Sequence, residues 1–213
     1  MVTLDLMDFI ERCILPRYAA FDAAHNMGHA VRVIRASMKL AQAVGADEDM
    51  AYAIAAYHDL GLEGHRAVHH ITGARIVRAD KRLLAWFSPQ QVNIIAEAVE
   101  DHRASASRAP RSIYGKIVAE ADRDLEPQSV MLRTVLFGLD HYPQYDKEEH
   151  WRRFREHLMQ KYSTAGYIKL WLHGTDNEKN LAELRRIILS PAELRKYFEE
   201  IYNTNANQHQ HKD

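Results

Sequence analysis

Ala51-Tyr52-Ala53-Ile54-Ala55-Ala56-Tyr57-His58-Asp59-Leu60-Gly61 is the stretch on which the fold turns. Its run of small and apolar residues, with Asp47 or Asp49 placed to cap it, predicts a helix buried on all sides. The helix leads into two residues able to bind metal, His58 and Asp59, and the segment Gly61 to Gly64 breaks it directly afterwards. A His-Asp pair carries little weight alone in a chain with 13 histidines. Its weight comes from an ordered set around it: His29 upstream, then His69-His70, His102 and Asp122 downstream. Each falls at or near the end of a segment that reads as helix. Imidazole and carboxylate are the donors that hold Zn, Fe, Mn or Mg at neutral pH.

Nearly every other segment also reads as helix, and no Val/Ile/Thr alternation between turn residues marks a strand. Leu4, Met7, Ile10 and Leu15 give a first helix its apolar stripe. The segment from His29 to Val44 carries Val31, Ile34, Met38 and Ala41 on one face, and Gly45 is its stop. A further helix begins near His69 and runs towards Arg78. Ser88-Pro89, an N-cap followed by proline in the first turn, predicts a helix from Gln90 to His102. Residues 103–111 read as a polar loop, and a helix over about 113–125 carries Asp122. About four helices follow Pro127, the clearest being residues 182–189 and 190–198. The fold class is all-α. One domain is expected over 1–203, with a metal-ligand core at about 25–126 and a helical extension at about 127–203. The polar tail 204–213 is expected to be disordered, with His209 and His211 outside any site.

At 213 residues, 46% hydrophobic and 27% charged, the chain has the composition of an ordinary globular protein. A net charge of −1 argues against a general binder of nucleic-acid polymers or membrane surfaces. The lone Cys13 excludes an intrachain disulfide and leaves zinc fingers and iron–sulfur clusters without ligands. No apolar run has the length of a membrane span. Residues 1–13 lack a basic segment followed by an apolar core, so no signal peptide is read there and a cytoplasmic location is expected. A homodimer is compatible with all of this.

His29-Ala30-Val31-Arg32-Val33, then Ala55-Ala56-Tyr57-His58-Asp59-Leu60-Gly61, then Ala119-Glu120-Ala121-Asp122 resemble the HD superfamily of metal-dependent phosphohydrolases. His69-His70-Ile71-Thr72-Gly73-Ala74 and Ala98-Val99-Glu100-Asp101-His102 are similar to segments of its binuclear subgroups. The resemblance covers roughly residues 25 to 126 and implies an HD-domain helical bundle with additional C-terminal helices. It further implies that Asp59 bridges two divalent ions, with His29, His58 and Asp122 on one and His69 or His70 with His102 on the other. A carboxylate suits bridging because it has two oxygens, which a neutral imidazole cannot match. Helical neighbours diverge by about 100°, so His69 and His70 cannot both face one site, and the spacing to Gly73-Ala74 favours His69. The implied activity is hydrolysis of a small phosphorylated metabolite or nucleotide by water that the metal (Mn, Fe, Zn, Ni or Mg) activates. No Gly-Tyr-Pro element like that of the cyclic-dinucleotide enzymes follows the site, whereas residues 115–127 are similar to a segment of dinucleoside-polyphosphate hydrolases. The alternatives are an HD-type di-iron oxygenase and a non-catalytic ligand-binding module; the complete donor set speaks against the latter.

Phosphate substrates call for cations, and four stand close in sequence to the donors: Arg66, Arg103, Lys116 and Arg123. Arginine meets phosphate as a bidentate fork and lysine as a point charge. His25, four residues before His29, and His70 are further candidates for facing substrate. Glu63 lies four residues after Asp59, where some members of the family place an acidic acid/base. Arg32 is expected in a structural ion pair. Each residue also has a bland reading, as a cap, a helix-end histidine near the dipole or a solvated side chain. The joint order favours a metal site.

Overall fold

In the computed structural model, which describes residues 1–104 and 108–209, the stretch before His58 forms the middle of an all-α structure. Helix α3 (Glu48–Tyr57) is buried at every position from Met50 to Tyr57, as its lack of a polar face requires. Asp47 caps it by accepting from the Met50 N–H at 3.0 Å, while Asp49 accepts from the Thr3 N–H at 2.7 Å. Against α3 pack α1 (Leu4–Cys13), α2 (Met27–Val44), α5 (Pro89–Asp101) and α6 (Ile113–Ala121). Helix α4 (His69–Ala79) packs on α5 and on the tight turn Leu60–Glu63. Together they make one compact unit, Met1–Arg123.

Two buried faces differ from the sequence reading. Leu6 and Ile10 are the fully buried positions of α1, whereas Leu4 is 78% exposed. On α2 the buried residues are Ala30, Val33, Ile34, Ser37 and Ala41, with Val31 and Met38 only half-buried. Reading by large apolar side chains misses this face, because Ala and Ser allow close helix approach. Helix α2 also begins two residues before His29, because the Asn26 side chain accepts from the His29 N–H at 3.1 Å. It ends as expected at Gly45, whose φ of 67° lies in the left-handed region that glycine tolerates.

Ser88 and Gln91 form a reciprocal capping box on α5, with the Gln91 N–H at 3.3 Å from Ser88 Oγ and the Ser88 N–H at 2.9 Å from Gln91 Oε1. Ser88→Ala is expected to cost about 1 kcal/mol of stability. Urea denaturation checks this, and an unchanged midpoint would show the cap to be inert.

A second close fit sets the position of α4. A Cβ on Gly61 would stand 1.8 Å from the His69 carbonyl oxygen and 2.6 Å from the Gly73 nitrogen. Only glycine lets the turn after the His-Asp pair lie directly on α4.

The second unit begins at Asp124 and holds α7 (Pro127–His141), α8 (Lys147–Tyr162), α9 (Asp176–Ile188) and α10 (Pro191–His209). Its core includes Phe154, Leu158, Leu181, Leu184 and Phe198. Helix α10 continues past Thr204, where a disordered tail was expected. The Thr204 hydroxyl and the Asn205 amide donate to the Glu200 and Ile201 carbonyls at 2.8 and 2.7 Å, so these polar side chains stay within the helix. His211 and residues 105–107 of the expected 103–111 loop lie outside the described residues. No described helix is long and apolar enough to cross a membrane.

In this unit His157 is held down to a pKa of about 4, first by burial and then by Lys161 and Arg153. A histidine with a lowered folded pKa binds fewer protons folded than unfolded between about pH 6.5 and 4. Its contribution to stability is therefore complete above that window and falls as pH drops through it. The wild type is expected to lose more stability than His157→Gln between pH 6.5 and 4. Parallel denaturation curves for the two proteins across that range would contradict this.

Candidate metal centre

All six candidate donors sit at helix ends of the first unit. His29 lies in the first turn of α2, and His58 and Asp59 directly follow α3. His69 opens α4, while His102 and Asp122 directly follow α5 and α6. Three helix C-termini thus adjoin the cluster, and their partial negative charge favours a cation.

The six side chains converge in two groups that share Asp59. In the first, His29 Nε2 stands 3.0 Å from His58 Nε2, 3.3 Å from Asp59 Oδ2 and 3.3 Å from Asp122 Oδ1. His58 Nε2 is 3.2 Å from Asp59 Oδ2. In the second, His69 Nε2 is 3.1 Å from His102 Nε2, and these nitrogens lie 3.7 and 3.5 Å from Asp59 Oδ1. Asp59 therefore offers one oxygen to each group. Ligands 2.0–2.1 Å from one ion at tetrahedral angles stand about 3.3 Å apart, so both groups have the spacing of donors around an ion.

The outer ring nitrogens fix which atom faces inward. Nδ1 of His58, His69 and His102 donates to the carbonyls of Ala55, Arg66 and Val99 at 2.8, 2.8 and 2.5 Å. In neutral rings this leaves the Nε2 lone pairs of His69 and His102 facing each other, an arrangement that calls for a cation or a shared proton between them. Burial and the neighbouring His102 push His69 down to about 4. Burial also opposes charge on His102, yet the Asp59 carboxylate holds its pKa above the usual range. Burial likewise opposes a charged His29, but Asp122 and Asp59 raise its pKa to about 9. Arg32 Nη2 stands 3.0 Å from His29 Nδ1, and His29 Nε2 faces the two carboxylates. Burial alone would raise Asp59, but the surrounding histidines hold it well below the carboxylate range.

Of the other candidates, His69 and not His70 stands beside His102; His70 Nδ1 is instead 3.5 Å from Arg103 Nη1. Arg103 also donates to the Ala67 carbonyl at 2.6 Å. Arg66 pairs with Asp22 Oδ2 at 2.8 Å and reaches His25 Nε2 at 3.5 Å. The His25 ring meets the His29 ring edge-on with centroids 5.8 Å apart, which places this trio beside the first group. Burial opposes the charge on Asp22, but His25 and Arg66 hold it down at about 2.

Three further residues have other partners in the geometry. Glu63 is engaged by Arg17 in a two-pronged ion pair, 2.7 Å on each side, and no hydrogen bond or ion pair among the described residues links it to the donors. The Arg123 side chain is buried, 3.5 Å from Glu120, with Nε and Nη1 lacking hydrogen-bond partners among the described residues. Arg32 makes no ion pair among the described residues; it reaches the Ala121 and Asp122 carbonyls at 3.4 Å and so ties α2 to the end of α6. Lys116 lies half-buried in α6, and no described hydrogen bond or ion pair links it to the cluster.

Sequence reasoning missed two supports. The Tyr18 hydroxyl, fully buried, donates to the Ala56 carbonyl at 2.9 Å and accepts from the Asp59 N–H at 3.4 Å, bracing the backbone of the pair. Buried Asp101, next to His102, accepts from the Arg111 guanidinium at 2.8 and 3.0 Å and from the Arg111 N–H at 2.7 Å, which anchors the far end of the loop. Both partners lie too far along the chain for local spacing to signal them.

A family model described as HD domain matches residues 26–125. A search of curated proteins finds no match to the chain. Among solved structures, the crystal structure of a predicted HD superfamily hydrolase from an uncultured Thermotogales bacterium is similar over 71% of this chain and 82% of that one, at 20% identity and a TM-score of 0.46.

Proposed function

We propose, from the match of residues 26–125 to the HD-domain family model, that the protein is a metal-dependent phosphohydrolase with a two-ion centre, acting on a small phosphorylated metabolite or nucleotide. The observation that carries this reading is the division of Asp59, with Oδ2 towards His29 and His58 and Oδ1 towards His69 and His102. His29, His58 and Asp122 would hold one ion, His69 and His102 the other, and Asp59 both. Divalent ions in such a centre lower the pKa of water and neutralise charge on phosphoryl oxygens.

The chain's own residues supply orientation and charge. The carbonyls of Ala55, Arg66 and Val99 lock three rings with Nε2 inward, so the donors are preorganised. Arg66 with His25 flanks one half of the donor set, and His70 with Arg103 flanks the other. A phosphate arriving at the first half competes with Asp22 for Arg66, which makes Arg66 a binding residue that releases its partner on loading. Glu63, committed to Arg17, has no part in proton transfer in this reading.

The test is hydrolysis by metal-loaded protein of phosphomonoesters, nucleotides and dinucleoside polyphosphates, with chelator as control. Arg66→Ala is expected to raise KM about 10-fold with kcat little changed, the size of one charge-assisted contact. No turnover of any of these with Mn, Fe, Zn, Ni or Mg would refute the reading.

A further inference from the structure

The second unit holds a cavity of about 550 Å³ between α7 and α8, in the range of small-molecule sites. Two of the cations in its wall, Arg153 and Lys161, have no ion-pair partner among the described residues. Arg153 is half-buried, with Nη1 donating to the Thr134 carbonyl at 2.9 Å and its guanidinium 5.0 and 5.3 Å from the ring centroids of Phe137 and Tyr142. Lys161 places its Nζ 5.2 Å from the Tyr162 ring centroid. Among the described residues, no ion pair neutralises Arg153 or Lys161. Burial pushes Arg153 below its usual range, against a hydrogen bond to Tyr142 that favours the charge. Arg133, also in the wall, is answered by Asp124. Among the described residues the one acid lining the cavity is Glu156, which is exposed.

A guanidinium gripped by two aromatic rings and a carbonyl is preorganised, because its fork is already fixed before any ligand arrives. Two unanswered cations match a dianion, and a phosphate monoester carries about −1.5 to −2 charges at pH 7. Phe137 adds an apolar wall that is 47% exposed, a surface that an inorganic ion would leave wet.

We propose that this cavity binds a small organic monophosphate, its phosphate on Arg153 and Lys161 and its organic part against Phe137. Its lining shares no residue with the His/Asp cluster, and the proposal does not depend on the reaction proposed there.

Isothermal titration of chelator-treated, full-length protein with adenosine 5′-monophosphate, and separately with inorganic phosphate, tests this. The expected result is saturable binding of the nucleotide below about 1 mM, with inorganic phosphate weaker by about 10-fold. Lys161→Gln and Arg153→Gln should each weaken nucleotide binding about 10-fold or more, the loss of one charge-assisted contact. Lys161 is half-exposed, so its variant keeps the test open if Arg153→Gln misfolds. Asp59→Asn should bind the nucleotide as the wild type does. No saturation, no response to either cavity substitution, or loss of binding in Asp59→Asn would each overturn the proposal. Equal affinity for inorganic phosphate would overturn the role of Phe137.

Discussion

Replacing Asp59 with alanine is expected to remove both metal binding and hydrolysis while leaving the helices in place. Asp59 is 3% exposed and is the one side chain that contacts all four histidines of the cluster. Without it the first group keeps His29, His58 and Asp122, but the second falls to two imidazoles, too few to hold an ion firmly. Turnover should drop by about 1,000-fold or more, as expected when a group that organises the whole centre is lost. Removing one partner from a buried charged set also costs about 3–5 kcal/mol, so the variant melts earlier when metal-free. Asp59→Asn separates the two effects. It preserves volume but offers a single neutral oxygen, and should bind at most one ion and remain inactive with near-native stability. Circular dichroism, metal content and turnover on the same preparations check these outcomes. Retained phosphatase activity in Asp59→Ala would contradict the mechanism outright.

Gly61→Ala is expected to be the most disruptive substitution of a residue that touches no metal. The added Cβ would stand 1.8 Å from the His69 carbonyl oxygen and 2.7 Å from its carbon, both backbone atoms. No rotamer change relieves a backbone clash, so either the turn or α4 must move. Overpacking usually costs about 1–3 kcal/mol, and this contact belongs at or above the upper end. Movement of α4 would carry His69 away from His102 and Asp59, from which it now stands 3.1 and 3.7 Å. The variant should therefore show both a lowered melting temperature and selective loss of the second ion. A substitution at Gly45 offers the contrast, because a Cβ there meets nothing within 4 Å and only the left-handed φ of 67° is strained. Gly45→Ala should cost about 1 kcal/mol and leave metal content untouched. Equal metal loss in both variants would show that the effect of Gly61 is general destabilisation.

These contrasts mark where the sequence was legible. The all-α class and the buried α3 followed from an apolar run without a polar face. The convergence of the six candidate side chains was legible because every member stands at a helix end in a fixed order. Spacing to Gly73 and Ala74 favoured His69 over His70, and the geometry places His69 beside His102. Glu63 was read as acid/base from its distance to Asp59, yet its partner Arg17 lies 46 residues away, and local spacing carries no information about that pair. Arg123 was read as a phosphate ligand from its place next to Asp122, whereas neighbours on a helix end point apart and it is buried beside Glu120. The close approach of Gly61 to α4 is a property of tertiary packing, and a glycine after a helix reads simply as a stop.

Metal content per chain, measured on protein purified without chelator or a metal-binding tag, tests the two-ion centre most directly. Two ions per chain are expected in the wild type, falling to one in His69→Ala and His102→Ala. One ion in the wild type, unchanged by those two substitutions, would reduce the centre to His29, His58, Asp59 and Asp122. No ion, even after metal is added back, would contradict the metal centre itself.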